Sequence, residues 1–244
     1  MARTHRTGKK YEKKKIKTAL KMNKTEKIYP FLKNSTIEKE SLKLLNAYEI
    51  KAGKKMTPPI PVFEIIEYLG YDIDFRKEDI YKNKNILGGL NIAEKTVEIN
   101  ENLNHQEGRM NFTAAHETGH IILHVPGYSE KNGEDELKIL CRKDAGFQGD
   151  KKDPQEWQAD KFAAFLLMPT AIVKRAFFRV RKRPVKVKKK NILEIFFPRS
   201  PKGKAYKLAV EVLRTGKFEN VSKMAMVNRL IGLGLIKQLP FQKS

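Results

Sequence analysis

The chain has a single cysteine among its 244 residues, Cys141. One cysteine cannot form an internal disulfide, so nothing points to an oxidising compartment. It also cannot build a closed, cysteine-rich structural zinc site. No cysteine-enzyme motif surrounds Cys141, which reads as a plain buried or surface thiol. No apolar run approaches the roughly 20 residues needed to span a bilayer. Residues 1–24 are basic and lack an apolar stretch, unlike a secretory signal. These absences lead to the expectation of a cytoplasmic protein with no membrane segment.

Acidic residues are also scarce, 28 against 50 Lys and Arg, for a formal net charge of +22. The excess is local. Met1–Glu40 carries 13 Lys/Arg against 4 acids, and Ile172–Lys204 carries 13 against Glu194 alone. The rest of the chain is nearly neutral. Such segments suit contact with nucleic acid or another polyanion, expected here through residues 1–40 and 172–204. The plainer reading is a solvated tail and a solvated loop. With 40% hydrophobic residues, the chain is long enough for one sizeable core and a small appended domain.

Ser35-Thr36-Ile37-Glu38 has the form of a capping box opening a helix that Gly53 can close. Pro61 can open a second helix, ended by Gly70. Tyr71, Ile73 and Phe75 alternate with acids as a short strand, and Gly88–Ile92 and Thr96–Ile99 read as two more strands. Helices follow over about Gln106–His124 and Pro154–Met168, with a polar loop at 128–153 between them. Two short helices end the chain, Lys204–Thr215 and Ser222–Ile231. Their exposed side is expected to offer Lys223, Asn228 and Arg229. This order predicts an α+β fold. The expected divisions are a basic, disordered tail at 1–34, a main folded domain at 35–170, a basic insertion at 171–204 and a C-terminal helical module at 205–244, helix-turn-helix-like in its pattern.

The chemistry concentrates in His116-Glu117-Thr118-Gly119-His120. Histidines four apart on a helix project from one face, and two neutral imidazoles at that spacing can share one Zn²⁺. Apolar flanks, Met110–Ala115 and Ile121–Leu123, make this a buried helix, and buried histidines need partners. Glu117 is placed to reach a water at the metal rather than the metal itself. Zinc lowers the pKa of such a water from about 15.7 towards about 7, and Glu117 would take its proton and pass it to the leaving amine.

A catalytic zinc keeps three protein ligands and an open position. His124 lies about 12 Å along the helix from His116, too far to join it on one ion. Glu156 is the better third ligand, with Asp160, four residues on, accepting the hydrogen bond of a ligand imidazole. Asp135, Glu136, Asp144 and Asp153 are weaker alternatives. Phe162, Phe165, Leu166, Leu167 and Met168 read as core rather than as a substrate groove, and Gly89–Ala93 as a strand edge where an extended peptide could pair.

With these residues in view, the chain resembles the ImmA/IrrE family of metallopeptidases. Phe112–His124 is similar to that family's active-site helix, and Glu156–Pro169, ending in Leu-Leu-Met-Pro, to its second hallmark. Gln158 departs from the commonest pattern, which has an acid before Ala159. The resemblance implies a zincin-like fold of the gluzincin type, a small twisted sheet over an active-site helix. It implies ligands His116, His120 and Glu156, with Glu117 as catalytic acid and base. Zinc is the expected ion, with Mn²⁺ as another divalent choice. The implied substrate is a helix-turn-helix transcriptional repressor, cut to switch on stress or mobile-element genes. Two other readings stand beside this one: a DNA-associated regulator acting by binding, and a toxin-like member of a two-gene pair. Neither the oligomeric state nor the cleavage site is written in the sequence.

Overall fold

The computed structural model describes residues 30–77, 86–128, 138–142, 153–187 and 201–237. The chain divides into Met1–Phe31 and Leu32–Ser244. Nearly all of the first unit lies outside the described residues, as do most of the loop at 128–153, with Asp135, Glu136 and Asp144, and the lysine-rich run at 188–200.

Helix α1, Asn34–Ala52, buries a stripe of Ile37, Ser41, Leu44, Leu45 and Tyr48, the periodicity of a one-sided helix. Gly53 stops it at φ 64°, a left-handed conformation that suits glycine. The expected capping box does not form: Lys33 is the N-cap, without a side-chain bond. Glu38 reaches across the fold instead, accepting from Thr170 Oγ1 and standing 3.5 Å from Arg229. A tertiary partner has outcompeted the local cap.

Helix α2, Val62–Tyr68, is followed by Gly70 at φ 78° and strand β1, Asp72–Arg76. Strands β2, Ile86–Asn91, and β3, Thr96–Asn100, form a hairpin. With β4, Lys138–Arg142, they make a four-stranded sheet in the order β1-β3-β2-β4. β1 runs parallel to β3, and the other pairs are antiparallel. This corrects the reading of Gly89–Ala93 as an edge: β2 is paired on both sides, by β3 and β4.

Helix α3, Glu107–Leu123, packs against the sheet, and α5, Pro154–Leu167, packs along α3. A four-residue turn of helix, α4 (Val125–Tyr128), follows α3 directly. Residues 113–121 of α3 are all buried, as expected of a helix covered on every side. Thr118 hides its hydroxyl by donating to the Ala114 carbonyl at 2.9 Å. The core joins Val97 and Ile99 of the sheet, Ala114 and Ala115 of α3, and Phe162, Leu166 and Met168 on and beside α5. The apolar face of α5 is thus core, as its composition indicated.

Helix α6, Thr170–Val180, was not legible among the cations around it. It packs on α7, Pro201–Gly216, and buries Val173, Ala176 and Phe177. Helix α8, Lys223–Gly232, starts at Ser222, whose Oγ accepts from Ala225 N at 3.1 Å. A short parallel pair joins β5, Val185–Lys186, to β6, Ile236–Lys237. Arg229, expected on the exposed side of α8, is buried. It donates to Met168 O at 3.0 Å and Thr170 Oγ1 at 2.7 Å, and its guanidinium lies over the Phe165 ring. Among the described residues no helix is long and apolar enough to cross a membrane. The architecture is a small α+β fold.

Gly119 sets the spacing of α3 and α5. A Cβ there would stand 3.0 Å from Ala159 Cα, 3.1 Å from Ala159 O and 3.1 Å from Phe162 Cβ. Two of those atoms are backbone, which cannot swing aside. Gly119→Val should therefore lower the unfolding free energy by about 3 kcal/mol, read by urea denaturation; an unchanged midpoint would mean that the two helices are not in this contact.

Candidate metal centre

His116, His120 and His124 fall at i, i+4 and i+8 of α3, so their rings form one row, with centroids 4.8 and 4.9 Å apart. All three are at most 1% exposed, and Glu117 is fully buried. The facing side chains come from the first turns of α5. Asp153 caps that helix by accepting from Gln155 N at 2.9 Å, and Pro154 opens it. Glu156 lies in the first turn, where the helix dipole favours an anion, and Asp160 follows one turn later.

The carboxylate of Glu156 spans both histidines, with Oε2 3.4 Å from His116 Nε2 and Oε1 3.3 Å from His120 Nε2. The two Nε2 atoms are 3.0 Å apart. Asp160 Oδ1 lies 2.8 Å from His116 Nδ1, so the ring turns its other nitrogen toward Glu156. His124 points away from this cluster. Its Nδ1 is 2.9 Å from His120 Nδ1, and its Nε2 is 3.2 Å from Gln158 Oε1. It is also the C-cap residue of α3. Sequence reasoning placed His124 off the ion but did not find its link to Gln158. The i, i+4, i+8 spacing of the histidines was the available signal.

Burial governs the protonation of these groups. It pushes the His120 imidazole pKa down, against the opposing hydrogen bond to Glu156. It takes His124 down to about 4, helped by the neighbouring His120 charge and opposed by the hydrogen bond to Gln158. Burial is also the largest influence on Glu156 and pushes its carboxyl up. Hydrogen bonds and charge from His116 and His120 together outweigh it and hold Glu156 well below the usual carboxylate range. Burial thus favours the neutral imidazole at His120 and His124, and Glu156 is held ionised, the forms that bind a metal.

Ligand atoms 2.0–2.1 Å from one tetrahedral zinc stand about 3.3–3.4 Å apart. Each imidazole nitrogen stands at about that distance from one Glu156 oxygen, 3.4 and 3.3 Å, and the two nitrogens are 3.0 Å apart, so these are the groups the structure brings together as a candidate metal site. Asp153 is engaged at its cap and is not part of the cluster. Gly88, read from the sequence only as the start of a strand, adds a further feature in β2. A Cβ on it would lie 2.5 Å from Thr113 Cγ2, 3.0 Å from Glu98 O and 3.5 Å from Glu117 Oε1. The bare backbone lets the sheet settle onto α3 beside Glu117.

One zinc ion per chain is therefore the expected stoichiometry in calorimetric titration, abolished by Glu156→Ala or His116→Ala. Asp160→Asn should keep the stoichiometry and weaken affinity roughly 10–100-fold. Tight binding that survives Glu156→Ala would remove that residue from the ligand set.

Comparison with known proteins bears on the same stretch. Residues 70–189, from just before β1 to just after β5, match the family model described as the IrrE N-terminal-like domain of peptidase family M78. No curated protein matches the chain. The match over residues 70–189, which hold the histidine pair, Glu117, Glu156 and Asp160, supports an ImmA/IrrE family metallopeptidase.

Proposed function

We propose that the chain is a zinc-dependent, site-specific endopeptidase that cleaves a helix-turn-helix transcriptional repressor in the cytoplasm. The observation that most supports a hydrolytic site is the convergence of His116, His120 and Glu156, with Glu117 next to His116 on the same buried helix. A bound divalent ion supplies Lewis-acid activation of water and of the scissile carbonyl. His116 and His120 would hold the ion from α3 and Glu156 would hold it from α5. Glu117 takes the proton of the attacking water and returns it to the leaving amine. Asp160 keeps the His116 Nδ1 proton engaged, so that Nε2 faces inward. The burial of α3 limits access of bulk water, which strengthens each of these electrostatic contacts.

An extended substrate segment cannot add to β2, which has two neighbours. Among the described residues β4 is paired on one side only, and its outer edge is the proposed place for strand addition. A repressor cut in this way loses its hold on the genes it silences.

A second reading, a regulator that acts by binding DNA, draws on α6. That helix exposes Lys174, Arg175 and Arg179 and contains no acid. The C-terminal helices lend it less support, because Arg229 is taken up in the core. A toxin-like role in a two-gene pair would use the same peptidase site.

The test is to follow the repressor encoded beside this gene in cells expressing the natural protein or Glu117→Gln. Cleavage should fall about 10²–10⁴-fold in the variant, while zinc content stays at one per chain. A repressor that remains whole in both, with its genes nonetheless switched on, would favour the DNA-binding reading instead.

A further inference from the structure

We propose that Gln158 and His124 are positioning residues that fix the tautomer of His120 through a two-step hydrogen-bond relay, so that its Nε2 lone pair faces the ion. The inference rests on the reading of His116, His120 and Glu156 as metal ligands.

A neutral imidazole has one N–H donor and one lone-pair nitrogen. Gln158 Oε1 is an acceptor only, and it lies 3.2 Å from His124 Nε2. The proton of His124 therefore sits on Nε2, and its Nδ1 carries the lone pair. That Nδ1 is 2.9 Å from His120 Nδ1, which must then be the donor. The remaining nitrogen of His120, Nε2, is left with its lone pair directed at His116 Nε2, 3.0 Å away, and at Glu156 Oε1, 3.3 Å away. Asp160 produces the same outcome at His116, in one step, by accepting from Nδ1 at 2.8 Å. Two lone pairs and a carboxylate then face one point, an arrangement that a shared cation stabilises.

The orientation of the Gln158 amide sets the sense of the relay. Turned over, its NH₂ would donate to His124 Nε2, His124 Nδ1 would donate to His120, and His120 Nε2 would carry a proton incompatible with ligation. The two arms also differ in charge. The His116 arm ends in a carboxylate, the His120 arm in a neutral amide. A third carboxylate at 158 would add another negative charge beside Glu156 and Asp160, whereas the amide conveys direction alone. His124 and Gln158 are each 1% exposed, so the relay is shielded from competition by water.

The experiment uses the full chain with zinc ion as the probe. The tautomers are read from long-range ¹H–¹⁵N correlation spectra of ¹⁵N-histidine-labelled, zinc-loaded protein. Affinity is read by competition with a chelator. His124 should carry its proton on Nε2. Gln158→Met and His124→Phe should each weaken zinc binding about 10–100-fold, while Gln158→Glu, which keeps the acceptor, should stay within about threefold of the natural protein. A packing role alone would not separate Gln158→Met from Gln158→Glu, nor set the His124 tautomer. A His124 proton on Nδ1 in the zinc-loaded protein, or unchanged affinity in Gln158→Met, would overturn the relay and leave the metal site standing. A natural protein that binds no zinc would overturn both. Where His124→Phe does not fold, the tautomer and the Gln158 pair decide.

Discussion

Gly119 brings the backbone of α5 into contact with α3, and the candidate site follows from that approach. With Ala159 Cα only 3.0 Å from where a side chain would begin, the helices sit closer than ordinary side chains permit. The residues on either side of the contact, His116 and His120 on one helix and Glu156 and Asp160 on the other, are thereby held face to face. Ala115 and Ala163, buried in the same core, keep the volume between these helices small. The site is a consequence of close packing, with the ligands carried on rigid helices rather than on loops.

That closeness has an electrostatic cost. Glu117 and both histidines of the pair are at most 1% exposed, and taking charged groups out of water is unfavourable by several kcal/mol for each ion. The structure offsets this in two ways. Burial depresses the pKa of His120 and His124, which favours their neutral imidazoles. The negative charge of Glu156 lies in the first turn of α5, where the helix dipole favours an anion. A divalent cation would complete the balance, since it binds the same protonation states that burial already selects. Metal binding and the docking of α5 on α3 are then one free energy, because the ligands come from both helices.

Much of this was legible beforehand. His116 and His120 announce themselves by spacing, and Glu156 and Asp160 by a matching i, i+4 step on the next apolar helix. The reading of helices over about Gln106–His124 and Pro154–Met168 anticipated α3 and α5 to within a residue or so, whereas the Asp153 cap was not anticipated. What stayed hidden depends on contacts between distant parts of the chain. The capping-box pattern at Ser35 lost Glu38 to Thr170, 132 residues away. Arg229 looked like a surface cation because its carbonyl and aromatic partners lie elsewhere in sequence. Helix α6 was masked by charge, since its buried Val173, Ala176 and Phe177 are interleaved with Lys174, Arg175 and Arg179 and followed directly by Arg181, Lys182 and Arg183. The pairing of β2 on both sides required β4, a strand set in a polar stretch with no clear alternation.

A centre of this kind attacks a peptide bond without regard to the side chains around it, so selectivity has to arise outside the ligand set. The fold offers two such regions of different kinds. The unpaired side of β4 among the described strands favours backbone that is already extended, which a folded helical repressor presents only in a linker or a frayed end. On the proposed reading, the exposed cations of α6 would act at longer range, raising the local concentration of an acidic partner or of a repressor still seated on nucleic acid. On that reading the first would fix where a chain is cut and the second would govern how often it is met. On the proposed reading, changes to α6 therefore act on encounter and its salt dependence, whereas changes along β4 act on the choice of bond.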